Sequence, residues 1–199
     1  MITKKWLKTK YACPAGIQWF EKNVHGRGIA VSALAEKLML TPKFSWTNWL
    51  VINNLSKEQS IKYAVFAARQ VLDIYEEEYP ADQRPREAIE ATEGYLKEYL
   101  RCSSKKTAHA AYAFRVVIGT AAHKAHAAAH EAYAAAYASH VAYAAAYAAY
   151  TAIETIDGAV SMAIYITITE AVDAVVDAAG KLKLEESILR YGLGLLDKE

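Results

Sequence analysis

The sequence predicts an all-α fold, a multi-helix bundle forming a single domain over residues 1–199, and three observations carry that prediction. Apolar side chains in the first half recur at steps of three and four between clear stop signals. The second half is dominated by alanine, the best helix former. Only residues 163–169 alternate in a way that favours a strand, and such a strand has no second candidate to pair with. A chain of 199 residues buries a substantial core in one domain and leaves little room for a second.

Amphipathic helices are expected over residues 11–101. Residues 13–23 place Ile17 and Phe20 at helical spacing beside Trp19, and the segment His25-Gly26-Arg27-Gly28 stops them. A short helix fits residues 29–40, closed by Thr41-Pro42. Ser45 or Thr47 is expected to cap a helix containing Trp49, Leu50 and Ile52. Ser56 followed three residues later by Gln59 has the capping-box spacing, and the helix it opens runs through Tyr63, Phe66, Val71 and Ile74 to stop before Pro80. Asp82 and Pro85 then open another, Pro85 suiting a first-turn position, with Ile89, Tyr95, Leu96 and Tyr99 available for burial.

The texture changes near Ser103-Ser104-Lys105-Lys106, and residues 105–199 read as tightly packed, alanine-rich helices. Between Thr107 and Ala152, twenty-two of forty-six residues are alanine and only Arg115, Lys124 and Glu131 are charged, so the stretch is expected to be helical and mostly buried. His109, Tyr112, Val116, His123, His126, His130, Tyr133, Tyr137 and His140 recur along one stripe, with Tyr143, Tyr147 and Tyr150 as a second run. One helix over the whole stretch would be ~70 Å long, so breaks are expected at Gly119-Thr120 and Ser139-His140. Residues 159–179 read as helix despite their alternation, ended by Gly180, and residues 184–196 make a last helix weakened by Gly192 and Gly194.

A net charge of +1 argues against a general polyanion binder, so nucleic acid is not an expected partner. The distribution is uneven: residues 1–72 carry eleven basic against three acidic side chains, and residues 73–98 carry nine acidic against three basic. Cys13 and Cys102 have no metal-ligand spacing and read as a reduced, buried pair. The basic start lacks an apolar run and no stretch has the ~20 strongly apolar residues of a membrane helix, so the expected location is the cytoplasm.

No catalytic motif is present, and the chain reads as a non-enzyme. It lacks a G-x-S-x-G elbow and a Walker-type loop, and a Cys13–His25 pair is the kind that arises by chance. His123, His126 and His130 at i, i+3 and i+7 invite a metal ion, but without H-E-x-x-H or clustered carboxylates they read as polar-aromatic spacers. No metal ligand and no cofactor are therefore assigned. The candidate ligand or partner face comprises Arg115, His123, Lys124, His126, His130, Tyr133, Tyr137 and His140. A second candidate patch is Lys4, Lys5 and Trp6, with Trp6 the most exposed of the four tryptophans.

The segments Ala12-Cys13-x-x-Gly16-x-x-Trp19, Trp46-x-x-Trp49-Leu50 and Arg84-Pro85-Arg86-x-Ala88-Ile89-Glu90-Ala91, followed by Ala/His/Tyr-rich helices, resemble the all-helical immunity-protein family associated with bacterial toxin systems and phage genomes. The resemblance extends to about residue 160. It implies a protein that neutralises a toxin or effector by direct binding, in an immunity or anti-defence role, and it supplies no catalytic residues. The alternative is a protein that sequesters a nucleotide signal in a Tyr/His/Lys-lined pocket, with a homo-oligomer as a third reading.

Overall fold

The computed structural model describes residues 1–25, 28–41, 43–101, 107–132, 136–153 and 157–197, with the backbone alone described at 99–101, 107–115, 136, 153 and 157–159. The protein is all-α, and among the described residues the only extended pairing is one bridge between Ile2 and Ile29. The helices group into two compact units, Met1–Leu55 with Leu189–Glu199, and Ser56–Ile188. The change in composition near residue 103 falls elsewhere, because composition follows individual helices and the units follow their contacts.

The first unit holds α1 (Lys4–Thr9), α2 (Pro14–Asn23), α3 (Val31–Met39) and α4 (Phe44–Ile52). Thr3 caps α1 through its hydroxyl, 3.1 Å from the Trp6 N–H, and the Cys13 sulfur caps α2 by accepting from Gly16 at 3.3 Å. Cys13 is thus an exposed capping residue and not half of a buried pair, while Cys102 lies outside the described residues. Ile2, Leu7, Phe20, Leu34, Ala35, Leu38 and Leu50 form the core, with all four tryptophans packed half-buried against it. Trp6 meets Trp49 edge to face at 5.7 Å and Trp19 meets Trp46 at 6.4 Å, so Trp6, like the other three, lies half-buried at the margin of the core. Neither Ser45 nor Thr47 caps α4, which starts one residue earlier; Thr47 is wholly buried in its interior because α4 is apolar on several sides.

The second unit contains α5 (Lys57–Arg69), α6 (Leu72–Glu78), α7 (Arg84–Arg101), α8 (Thr107–Glu131), α9 (Ala136–Ile153) and α10 (Asp157–Asp173), and α11 (Ala178–Leu196) begins in it. Ser56 and Gln59 form the full capping box that opens α5. The expected continuous helix to Pro80 is instead two, because the chain turns at Gln70 and Val71 and buries Val71 and Leu72. Bidentate ion pairs then tie both pieces to α7: Arg69 to Glu93 at 2.6 and 2.8 Å, and Arg86 to Glu76 at 2.6 Å through both nitrogens.

Helix α9 is the hub, packed against α5, α6, α7, α8 and α10. Five neighbours fit around one rod because Ala138, Ala142, Ala144, Ala145, Ala146, Ala148, Ala149 and Ala152 are all buried there, and a methyl group lets a facing helix approach closely. Neither expected break occurs. A single glycine costs a helix only ~1 kcal/mol, and α8 runs straight through Gly119, with the Thr120 hydroxyl returning to the Val116 carbonyl at 2.9 Å. Ser139 is buried inside α9 and does not open a helix.

The alternating run 163–169 is helical within α10. Ala163, Ile164, Thr167, Ile168 and Ala171 lie on its buried face at steps of one, three and four, and the Thr167 and Thr169 hydroxyls satisfy the carbonyls four residues back. Gly180 does not end this helix. It sits in the first turn of α11, where its N–H donates to the Asp177 carboxylate at 2.7 Å and an added Cβ would fall 2.7 Å from that same side chain. Among the described residues no helix is long and apolar enough to cross a membrane.

Candidate functional site

Burial along α8 selects Ile118, Ala121, Ala122, Ala125, Ala128 and Ala129, which places the histidines on the margin of the seam with α9. On α9 the half-buried positions are His140, Tyr143, Tyr147 and Tyr150, one face at steps of three and four. The two margins meet. His126 and His130 lie edge to face with each other at 4.9 Å and with Tyr143 at 5.1 and 5.8 Å. Further along, His123 meets Tyr150 at 6.0 Å and Tyr150 meets Tyr147 at 5.7 Å.

Among the described residues the result is a ladder of six rings running along the outside of an alanine-lined seam. Its order shows α8 and α9 antiparallel, since residue 130 faces 143 while 123 faces 150. Hydrogen bonds hold individual rungs. His123 Nδ1 lies 2.8 Å from the Gly119 carbonyl, and His140 Nδ1 lies 2.7 Å from a carboxylate oxygen of Glu170, linking α9 to α10. Burial, with repulsion from His130 and His123 added, lowers the His126 pKa. Burial raises the Tyr150 pKa in the same way.

Of the expected face, the structure brings together His123, His126 and His130, puts Lys124 exposed beside them, and gives His140 a carboxylate partner instead of a ring. Tyr137 stands 44% exposed one turn before His140 and takes no part in the contacts that build the ladder. Val116, placed in the stripe by its spacing, is 54% exposed, because the alanines took the buried side. Tyr133 and the side chains of Arg115, His109 and Tyr112 lie outside the described residues. In the other candidate patch Lys4 pairs with Glu21, and Lys5 is exposed beside Lys8 and Thr9 on a shallow surface.

Tyr143, Tyr147 and Tyr150 belong to the face and are legible in the sequence as a run, though not as its members; nothing local marks Glu170. Beside His130, Glu131 closes a second cluster. Arg84 contacts its carboxylate at 2.5 and 3.1 Å while also gripping Asp82 at 2.7 to 3.1 Å, and Tyr75 donates to Asp82 at 2.6 Å. The Arg84 guanidinium holds the Asp82 carboxyl down to about 2. Among the described residues no three His, Cys, Asp or Glu side chains are grouped as a metal ion would need.

No family model, curated protein or solved structure matches this chain. The residues that carry the resemblance to immunity proteins each serve the fold. Cys13 and Gly16 make a cap, the tryptophans pair in the core margin, and Arg84 and Arg86 form ion pairs.

Proposed function

We propose that this chain is a non-catalytic binding protein that neutralises a toxin or effector protein by covering it, with the α8–α9 ladder as the contact face. The supporting observation is that six imidazole and phenol rings line the outside of a seam whose interior is closed by alanine, so the packing of α8 on α9 leaves them half-exposed. Tyrosine offers a large, rigid contact area with a polar tip at low entropic cost, which is why it dominates recognition surfaces. That the partner is a toxin or effector rests on the resemblance at residues 84–91 and in the helices that follow. The nucleotide reading is less well served: a base wants parallel ring faces, and here the rings meet edge to face at interplanar angles of 61 to 81°.

The test uses the chain as bait beside a Tyr147→Ala/Tyr150→Ala variant of unchanged helicity. The expected result is a stoichiometric protein held by the wild type and lost from the variant, one that stops growth when expressed alone and is harmless with this chain. Equal capture by both baits, or a captured protein without toxicity, overturns the reading. A large thermal stabilisation by nucleotides with no protein captured favours the sequestering alternative.

A further inference from the structure

We infer that the exposed side of α1 and the turn that follows it, with Lys5, Lys8, Lys10 and Tyr11, form a contact surface for single-stranded nucleic acid. The total charge of +1 conceals how charge is shared between the two units. Met1–Leu55 with Leu189–Glu199 carries ten basic and four acidic side chains, whereas Ser56–Ile188 carries thirteen basic and eighteen acidic. The first unit is therefore the one suited to an anionic partner. Four of its ten cations fall within the seven residues from Lys4 to Lys10. Ile2 and Leu7 are buried in the core, and these four lysines are left exposed. Lys4 takes Glu21, but among the described residues Lys5, Lys8 and Lys10 have no ion-pair partner. Lys4, Lys5 and Lys8 line one shallow concavity with Thr9.

Tyr11 decides which anion fits. It closes α1 as the left-handed residue of a Schellman turn, its N–H donating to the Lys8 carbonyl at 3.2 Å while the Ala12 N–H donates to the Leu7 carbonyl at 2.9 Å. Glycine is favoured at that position, yet a bulky aromatic residue occupies it with φ at +57°, the only positive φ outside glycine among the described residues. The fold makes little use of the side chain, which is 92% exposed. An aromatic ring held in water at a strained backbone position, beside cations that lack partners, is accounted for by a ligand that takes both.

An unpaired strand is such a ligand. Any base can stack its flat face on a phenol ring, and the phosphates on either side of it pair with lysines, whatever the sequence. A duplex keeps its bases stacked on one another and leaves the ring nothing to stack on. A bilayer takes up the apolar side of a surface helix, and α1 has buried Ile2 and Leu7 in the core. An acidic peptide answers the lysines alone. This inference is independent of the toxin-binding reading, because it concerns other residues and a ligand of another class, and either can fail without the other.

The full chain is titrated into a labelled oligothymidylate of about 12 nucleotides and followed by fluorescence anisotropy over a series of salt concentrations. Saturable binding is expected, with log K falling against log salt at a slope of about −2, or ~0.7 for each of three phosphates. The triple variant Lys5→Gln/Lys8→Gln/Lys10→Gln should flatten that slope towards zero. Tyr11→Gly should weaken binding roughly 5- to 150-fold, the worth of one stacked base, while Tyr11→Phe keeps it. The same Tyr11→Gly change should raise the melting temperature by about 2–4 °C as the backbone strain is relieved, which separates the ligand's use of the ring from any use in folding. The inference is overturned by no saturable binding below about 100 μM, the weak limit for contacts of this kind. It is equally overturned by Tyr11→Gly binding like the wild type or melting lower, or by polyglutamate or phosphatidylserine vesicles being bound as tightly as the oligonucleotide.

Discussion

Thr47 is wholly buried in α4, and its hydroxyl has no hydrogen-bond partner among the described residues. A buried polar group left unpaired costs more than the hydrogen bond it forgoes, so Thr47→Val, which keeps the shape and removes the hydroxyl, should stabilise the protein by about 1 kcal/mol. The urea midpoint measures this, and a lowered midpoint would refute it. Gly28 shows the opposite case. Its φ is +155°, and an added Cβ would sit 2.9 Å from the Ile2 carbonyl oxygen that pairs with Ile29. Gly28→Ala should therefore cost about 1–3 kcal/mol, the usual range for a residue forced into a sparsely populated backbone region. Gly94→Ala should be harmless or better in the same assay, since no described atom beyond its own helical surroundings lies within 4 Å of its Cβ position in α7. Both glycines are visible in the sequence; that one guards a backbone approach and the other open space is not.

Among the helices, local chemistry makes several boundaries readable. Ser56 with Gln59 opens α5 and Pro85 lies in the first turn of α7, because a cap or a missing N–H acts within one turn and needs nothing from the rest of the chain. The division between α5 and α6 and the unbroken run of α8 through Gly119 are not readable, since packing outweighs a propensity difference of ~1 kcal/mol. Helix α9 carries the clearest prediction for a single element. Ala145 is fully buried where α9 meets its neighbours, so Ala145→Leu should force the surrounding helices apart and cost about 1–3 kcal/mol. A thermal melt tests this. Tyr137→Leu introduces the same side chain at an exposed site on the same helix and serves as the control expected to shift the melt little.

Over the whole molecule, the uneven charge evident in the composition is only slightly offset by ion pairs. Arg84 and Arg86, already counted in the acidic stretch, pair with Asp82 and Glu76, and Arg69 alone reaches into it from outside, to Glu93. The pairing links folding to pH. The Asp82 carboxyl titrates at about 2 instead of its ordinary 3.8. Its contribution is thus complete above the ordinary value and disappears as pH falls from there towards 2. Stability by denaturant unfolding should fall across that window, and Asp82→Asn should be less stable at pH 7 and show a shallower fall in acid. An equal slope in both proteins would remove Asp82 from the explanation. Part of the candidate face is also legible in the chain as a whole: the histidines and tyrosines stand out by spacing, whereas Glu170, Glu131 and Arg84 join them only through contacts between residues 30 or 47 positions apart.

That the chain is helical, and where several of its helices begin, follows from the order of residues alone, because propensity, capping and turn chemistry act within a few residues. Which side of the alanine-rich helices turns inward does not follow from it. Alanine presents the same small methyl group all round the rod, so the hydrophobic pattern there has little amplitude, and the choice of buried face passes to the five helices that close around α9. That packing is what leaves the histidine and tyrosine rings at the seam's edge.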